Sequence, residues 1–246
     1  MRKQMWAVVV MVLVIAFGLL VVVAVPSVLA GDDDREGPKV IDRDSVAYGR
    51  TYSEWSAAWE QWSDSIPVAQ HPLFTDGDCS VGQSGPVWFL GGAFVPPWTR
   101  VRNCNIPFGT ALFFPVWDWE DSAVEESTSE HPGDQTYQQI ATLRSNVFQL
   151  LNQYLNPHEF LAIDNKQIRD LLQDFRVQST VFGFTIPDNN LLTAVYGTTY
   201  PAGTYFPAVD DGWDVMLAPL PAGDHTVVFG VAGGDTITYY LHVAWK

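Results

Sequence analysis

The sequence predicts a mainly β fold, an antiparallel β-sandwich of the jelly-roll kind with two or three accessory helices. From Gly82 onward, short apolar runs alternate with Gly and Pro, a pattern typical of strands joined by turns. Only two segments carry apolar residues at the spacing of an amphipathic helix. The 246 residues are 47% hydrophobic and 13% aromatic, a composition that excludes a disordered chain.

The first 30 residues have the layout of an export signal. Arg2 and Lys3 precede an apolar run over residues 5–25, and Val28-Leu29-Ala30 stands before Gly31. Because a run of this length is also able to span a bilayer, a cleaved signal peptide and a retained N-terminal anchor both stay open. Either alternative exports residues 31–246, since the basic end stays inside.

The exported part is strongly acidic. The whole chain has 13 Lys and Arg against 28 Asp and Glu, a formal charge of −15. Without the first 30 residues, which include Arg2 and Lys3 and no acid, the charge is −17. This excludes nucleic acid as a partner. Contact with a membrane is expected only through residues 5–25, if they are retained.

The chain is predicted to have three parts. Residues 1–30 are the signal peptide or anchor, and residues 31–47, with the charged run Asp32–Glu36, form an acidic linker. Residues 48–246 form a single β-sandwich domain, a length that such folds commonly reach.

The first helix is predicted in front of Pro67. Thr51 and Glu54 have the spacing of a capping box. The apolar residues that follow recur at i, i+3, i+4 and i+7 and form one face: Trp55, Ala58, Trp59 and Trp62. We expect this face to pack against a sheet.

The second helix begins near Thr136 and ends by Pro157, after an acidic loop over residues 120–134. A tight hairpin turn is predicted at Asp164-Asn165, and a helical turn at residues 170–174. Strands are predicted at residues 87–94, 98–104, 111–119, 160–163, 167–168, 175–186, 213–217, 225–231 and 236–245.

Cys79 and Cys104 are the two cysteines of the chain. In an exported protein an even pair predicts one disulfide. Oxidising conditions, outside the cell or in its envelope, therefore agree with the export signal.

Several stretches after residue 47 together resemble a group of bacterial exported proteins with no agreed activity. They are YGRT at 48–51 with EW at 54–55, Trp59 with QW at 61–62, QSGPVWFL at 83–90, CNIPFG at 104–109 with LFFP at 112–115, FRVQS at 175–179, and DG at 211–212 with LAPL at 217–220 and GDHT at 223–226. The chain departs from the group's pattern at Glu60, where a further Trp is expected. The resemblance implies an exported single-domain protein and supplies no catalytic residue.

Two pairs of acids are candidate Ca²⁺ ligands. Asp118 and Glu120 lie at i and i+2 near the end of a predicted strand, and therefore on one face of a sheet. Asp210 and Asp211 lie beside Gly212, before another strand. Carboxylate oxygens are the ligands that Ca²⁺ prefers. Two alternatives stay open: a pair of glycosidase carboxylates, or a solvated loop and an Asp-Gly turn that bind nothing. No other cofactor is predicted.

Three tryptophans are candidate ligand contacts. Trp98, Trp119 and Trp213, like Trp117, are predicted at strand ends or in loops, where binding residues concentrate. Their rings have the geometry to stack on a sugar.

The leading functional hypothesis is an exported or surface-anchored domain that binds a ligand or partner in the cell envelope, such as a glycan or an envelope protein. The alternatives are a secreted, glycosidase-like hydrolase that uses carboxylates, and a structural surface component. A hydrolase requires a cleft with two carboxyl groups, one of raised pKa, whereas a binding module requires an aromatic surface.

Overall fold

The computed structural model describes residues 38–126, 137–153, 159–168, 174–231 and 234–245, and these are mainly β. The predicted export segment 1–30, the first part of the predicted linker, and most of the predicted turn at 170–174 lie outside the described residues. No helix in the described ranges is long and apolar enough to cross a membrane.

The elements follow one another in a β-rich order with helices between the strands. The helices are α1 (Tyr52–Asp64), α2 (Pro72–Thr75), α3 (Tyr137–Gln153) and α4 (Leu191–Tyr196), with a 3₁₀ turn at Val68–Gln70. The strands are β1 (Val87–Phe89), β2 (Arg100–Pro107), β3 (Ala111–Ser122), β4 (Glu159–Ile163), β5 (Lys166–Ile168), β6 (Arg176–Gln178), β7 (Phe182–Ile186), β8 (Gly203–Leu217), β9 (Gly223–Val231) and β10 (Thr236–Ala244).

Two sheets form a sandwich. The first has the order β1-β3-β8-β6, with β7 also paired to β8, and the second has the order β2-β10-β9-β4-β5. Their facing sides share one apolar core, in which Phe114 of β3 stacks on Phe229 of β9 at 4.8 Å between ring centroids. The predicted mainly β fold is therefore confirmed. Each sheet is mixed, because β1–β3 and β2–β10 are parallel pairs beside antiparallel ones.

Helix α1 covers the outer face of the first sheet. The predicted capping box is present, with Thr51 and Glu54 bonded reciprocally. The indole N–H groups of Trp55 and Trp59 donate to the carbonyl oxygens of Ala47 and Leu90, at 2.8 and 2.6 Å. The tryptophan face packs on β1 and β3, as the spacing predicted. These bonds fix the rotation of α1 about its own axis.

A β-bulge interrupts strand β3 at Val116. Before it, Phe113 faces α1 and Phe114 faces the core between the sheets. The pairing register with β8 shifts between Pro115 and Trp117. One extra residue in a strand exchanges the two faces for every residue that follows.

Beyond the bulge, acids of β3 therefore lie under α1. Asp118 and Glu120 face the helix, whereas Trp119 packs on the other side against α3. The two strands approach closely here, because Asp118 pairs with Gly212 of β8. A Cβ atom at Gly212 would lie 2.4 Å from the Cβ atom of Asp118. Glycine is thus required opposite Asp118.

The loop before β1 is tied to β2 by the predicted disulfide between Cys79 and Cys104. It closes a loop over a sequence separation of 25 residues, which is worth about 3 kcal/mol in the chain-entropy account. Such a bond is typical of an oxidising, extracellular environment.

The end of the predicted linker lies against the first sheet. Val40 forms a bridge with Leu217, and the amide of Ile41 donates to the carbonyl oxygen of Met216 at 2.8 Å. The carbonyl oxygen of Ile41 accepts a bond from the Tyr52 hydroxyl at 2.6 Å. Residues 38–47 are thus part of the packed structure.

Most predicted elements are found near their expected positions. The hairpin turn at Asp164-Asn165 is present, with φ values of 50° and 64°. The predicted strand 175–186 is two strands, both paired with β8, because the amide of Thr180 donates to the carbonyl oxygen of Ser53 on α1 instead of to β8.

The alternative of an Asp-Gly turn at Asp211-Gly212 is wrong. Strand β8 begins at Gly203, and both residues lie well inside it. Asp-Gly is typical of turns, whereas here the glycine allows the close approach of β3. Asp210 and Asp211 are 1% and 0% exposed.

The close approach at Gly212 gives a stability prediction. We expect Gly212→Ala to lower the free energy of unfolding by about 2 to 3 kcal/mol, since the new methyl group overlaps backbone and Cβ atoms of β3. Chemical denaturation measures the change. Gly92→Ala is the matched control, because a Cβ atom there meets no atom within 4 Å. Equal stability of the Gly212→Ala and Gly92→Ala variants would contradict the packing described.

Candidate functional site

The site is a cluster of carboxyl groups held between α1 and the strands β3 and β8. Seven acids from these elements and the loop after β3 lie close enough to perturb one another's charge: Glu60, Asp64, Asp118, Glu120, Glu125, Asp210 and Asp214.

Helix α1 supplies the cluster through a second stripe beside its tryptophan face. This polar stripe is Ser56, Glu60, Ser63 and Asp64, at i, i+4, i+7 and i+8, and all four residues are buried. Residues at this spacing share one side of a helix. Glu60, the position at which the chain departs from the resembled group, thus places its carboxyl group over β3.

Strands β3 and β8 supply the opposite wall. Glu120 pairs directly with Asp210 across the ladder, and Asp118 is two residues along from Glu120. Asp214 continues the same face of β8, because alternate residues of a strand share a face. Two antiparallel strands therefore direct four carboxyl groups toward one helix.

Three groups at the inner end converge. Carboxylate oxygens of Glu60, Asp118 and Asp210 all lie within 4.8 Å of one another. Glu60 is hydrogen-bonded to Asp118, which requires a proton on one of the two groups. Asp210 accepts a bond of 2.5 Å from the hydroxyl of Ser56 through Oδ2. We call Glu60, Asp118 and Asp210 the inner trio.

A second group lies nearer the opening. Glu120 and Glu125 are hydrogen-bonded, and Glu125 also accepts bonds from Ser122 and from the hydroxyl of Tyr196. Asp64 lies close enough to both glutamates for their charges to interact. We call Glu120, Glu125 and Asp64 the outer group.

Burial, reinforced by like charges at most positions, raises the pKa of six of the seven acids of the cluster. Burial, followed by the charges of Asp118 and Asp210, raises the pKa of Glu60 well above its usual range. Burial raises the pKa of Asp118 to about 6, although the bond from Glu60 opposes the rise. The same causes raise the pKa values of Asp64, Glu120, Asp210 and Asp214.

Several carboxylate oxygens of the cluster receive no hydrogen bond from a described residue, although they are buried. They are Asp64 Oδ2, Glu120 Oε1, Asp210 Oδ1 and Asp214 Oδ2. A buried polar atom without a partner costs roughly 1 to 3 kcal/mol. Four such atoms in one place are unusual in a native protein, where buried oxygens are normally bonded.

The cluster opens into a cavity of about 560 Å³, within the range of small-molecule sites. The cavity lies along the part of β3 that β1 does not cover, and α4 and the segments around Phe94 and Ile237 complete its wall. Its aromatic lining comprises Trp59, Phe94, Trp98, Trp117, Trp119 and Tyr196. No Lys, Arg or His is among the described residues that line it.

The structure brings some of the predicted site residues together and separates others. Asp118, Glu120 and Asp210 join one cluster. Trp98 and Trp119 are among the residues that border its cavity, with the ring of Trp119 packed toward α3. Asp211 lies on the opposite face of β8 and is paired with Arg176 at 2.9 Å.

Trp213 also lies on that opposite face. It is 2% exposed and stacks parallel to Trp117. A ligand in the cavity does not reach its face.

Sequence reasoning missed Glu60 and Asp64. The available signal was the polar stripe at helical spacing beside the tryptophans, which a helical projection of residues 51–66 contains. The sequence gives no sign that this stripe is buried, because polar positions beside the apolar face of a helix are usually exposed to solvent.

The perturbed carboxyl groups predict an unusual dependence of stability on pH. Unfolded Asp and Glu titrate near pH 4, whereas Asp118 titrates at about 6 in the fold. Between these values the folded state binds more protons, so the free energy of unfolding falls as pH rises. We expect Asp118→Asn to remove roughly 2 to 3 kcal/mol of this loss at pH 8, in chelator-containing buffer.

The measurement is chemical denaturation of both proteins from pH 4 to pH 8. Burial lowers the pKa of His71 to about 4, which opposes the trend, so the difference between wild type and Asp118→Asn is the quantity to compare. Asp44→Asn, at a carboxyl group 82% exposed, serves as control. A difference that does not grow with pH would contradict the raised pKa of Asp118.

Comparisons with known proteins identify no family. No protein family model matches the sequence, and no curated protein matches it significantly.

Two solved structures are similar over part of the chain. The cysteine protease inhibitor EhICP2 from Entamoeba histolytica is 11% identical, with a TM-score of 0.24 over 64% of this chain and 96% of that one. PbICP-C, solved in complex with falcipain-2, is 11% identical, with a TM-score of 0.23 over 65% and 100%. Likeness this low carries no argument about function, and the resemblance to exported proteins stays a prediction.

Proposed function

We propose that the protein is an exported ligand-binding protein of the cell envelope, whose cavity takes a small organic cation such as a polyamine or a quaternary ammonium compound. The export signal over residues 1–30 and the disulfide between Cys79 and Cys104 support the location. Whether residues 5–25 anchor the protein or are cleaved does not alter the site.

The observation that carries this proposal is the composition of the cavity wall. Five clustered carboxyl groups line the cavity together with four tryptophans and no basic side chain among the described lining residues. A positively charged ligand stabilises the ionised form of these carboxyl groups, and its ammonium groups are attracted by the faces of aromatic rings. Neutral sugars gain the stacking contacts but do not stabilise the ionised carboxyl groups.

The charge of the opening supports selectivity for cations. Carboxylates in the outer group, Glu120 and Glu125, face an opening that Trp98 borders at 44% exposure. An anionic ligand is repelled by the same groups. The acidic surface of the exported part, at −17, increases the local concentration of cations in addition.

Binding is tested by isothermal titration calorimetry and tryptophan fluorescence with putrescine, spermidine and choline at pH 7.5. We expect at least one of these to bind, and Glu120→Gln to weaken it about tenfold, a loss of about 1.4 kcal/mol. Trp98→Ala is expected to weaken it by a similar factor, since it removes a cation–π contact.

The controls separate this outcome from general charge effects. Asp44→Asn changes an exposed carboxyl group outside the cavity and is expected to leave the affinity unchanged. Maltose and xylitol are the neutral probes. If the neutral probes bind and the three cations do not, the glycan-binding hypothesis is favoured and the cation proposal is wrong.

The geometry does not favour the second hypothesis, a glycosidase-like hydrolase. The carboxyl groups of Glu60 and Asp118 are in direct contact, whereas those of glycosidases are about 5 Å or more apart, with the sugar or a water molecule between them. We therefore expect no cleavage of chromogenic glycosides. Cleavage that Glu60→Gln abolishes would contradict this expectation.

A further inference from the structure

We propose that the inner trio, Glu60, Asp118 and Asp210, is a binding site for a single Ca²⁺ ion at the inner end of the cavity. This goes beyond the binding of an organic ligand, which involves the outer group and the aromatic wall. The set differs from the predicted Ca²⁺ ligands by including Glu60 and by leaving out Asp211, which Arg176 neutralises.

The spacing of the trio fits one ion. A bond between Ca²⁺ and oxygen is about 2.4 Å long, so two oxygens bound to one ion are at most about 4.8 Å apart. The three ligand oxygens of the trio lie within 4.8 Å of one another. Mg²⁺ requires bonds of about 2.0 to 2.1 Å and an octahedral arrangement, so it demands a tighter cluster. The donor set contains oxygen alone, which disfavours zinc.

An independent observation points to a ligand at this position. Asp210 is 1% exposed, and its Oδ1 atom receives no hydrogen bond from a described residue, whereas Oδ2 is held by Ser56. Asp214, on the same face of β8, likewise has a buried oxygen without such a bond, Oδ2. A divalent cation bound by the trio would supply the partner that Asp210 Oδ1 lacks.

The frame around the trio is suited to a fixed site. Glu60 lies on α1, and the indole hydrogen bonds of Trp55 and Trp59 fix the orientation of this helix about its axis. Asp118 and Asp210 lie on paired strands whose separation Gly212 keeps small. Ligands on three rigid elements bind an ion without first paying the entropy of ordering a loop.

The full chain is titrated with Tb³⁺, which replaces Ca²⁺ and emits when a nearby indole is excited. Trp59 and Trp117 border the inner cavity. We expect sensitised Tb³⁺ emission that Ca²⁺ displaces, and a rise in Tm of about 5 °C or more at a Ca²⁺ concentration of about 100 times Kd. No emission, or emission that Ca²⁺ does not displace, would overturn the proposal without the need for any variant.

Variants locate the ion. Asp210→Asn and Glu60→Gln are each expected to weaken Ca²⁺ binding at least tenfold and to abolish the shift in Tm. Asp121→Asn is the matched control: Asp121 is a buried acid on the same strand as Asp118, bonded to Asn146 on the α3 side. An equal loss in Asp121→Asn would place the ion elsewhere and overturn the assignment. Failure of polyamine binding alone leaves these readouts unaffected, so the two proposals are separable.

Discussion

The carboxyl cluster depends on one irregularity, the β-bulge at Val116. Without the extra residue, the alternation of β3 would continue, and Asp118 and Glu120 would point to the opposite face of the sheet, where Trp119 packs against α3. With it, the chain reverses its inward and outward sides in the middle of a strand. The same 12-residue strand thus fills the core of the sandwich with its first half and builds an acidic wall with its second.

The carboxyl cluster destabilises the native state, and the rest of the fold offsets this loss of stability. Like charges and buried oxygens without partners destabilise the native state, whereas the tryptophan face of α1 and the core between the sheets stabilise it through buried apolar area. Groups whose pKa values are shifted this far, in a cavity, are typical of functional sites. A protein under selection for stability alone gains from replacing Glu60 and Asp210 by apolar residues of similar volume.

The sequence predicts the frame better than the site. Helix α1 is readable because its tryptophans follow the period of 3.6 residues, and the hairpin at Asp164-Asn165 because those residues tolerate positive φ. The proximity of Asp118 and Asp210 is not readable, because it depends on which strands pair and on a bulge that leaves no mark in composition. Asp211 was grouped with Asp210 on adjacency, yet neighbours in a strand point to opposite faces. Because side chains alternate between the two faces of β8, Asp210 and Asp211 belong to different sites.

The contrast between Asp210 and Asp211 argues that the missing counterions of the cluster are functional. On one face of β8, Asp211 is bonded by both Arg176 and Gln178, and the guanidinium group of Arg176 also lies over the ring of Trp213. Elsewhere, Asp76 is paired with Arg100 and Arg102. Arg144 lies beside Asp210, yet its guanidinium group donates to the main-chain carbonyl oxygens of Asp210 and Ser179. Among the described residues, no basic side chain lines the cavity, and Asp210 Oδ1 receives no hydrogen bond. A bound cation would therefore supply to the carboxyl group of Asp210 the positive charge that Arg176 supplies to Asp211.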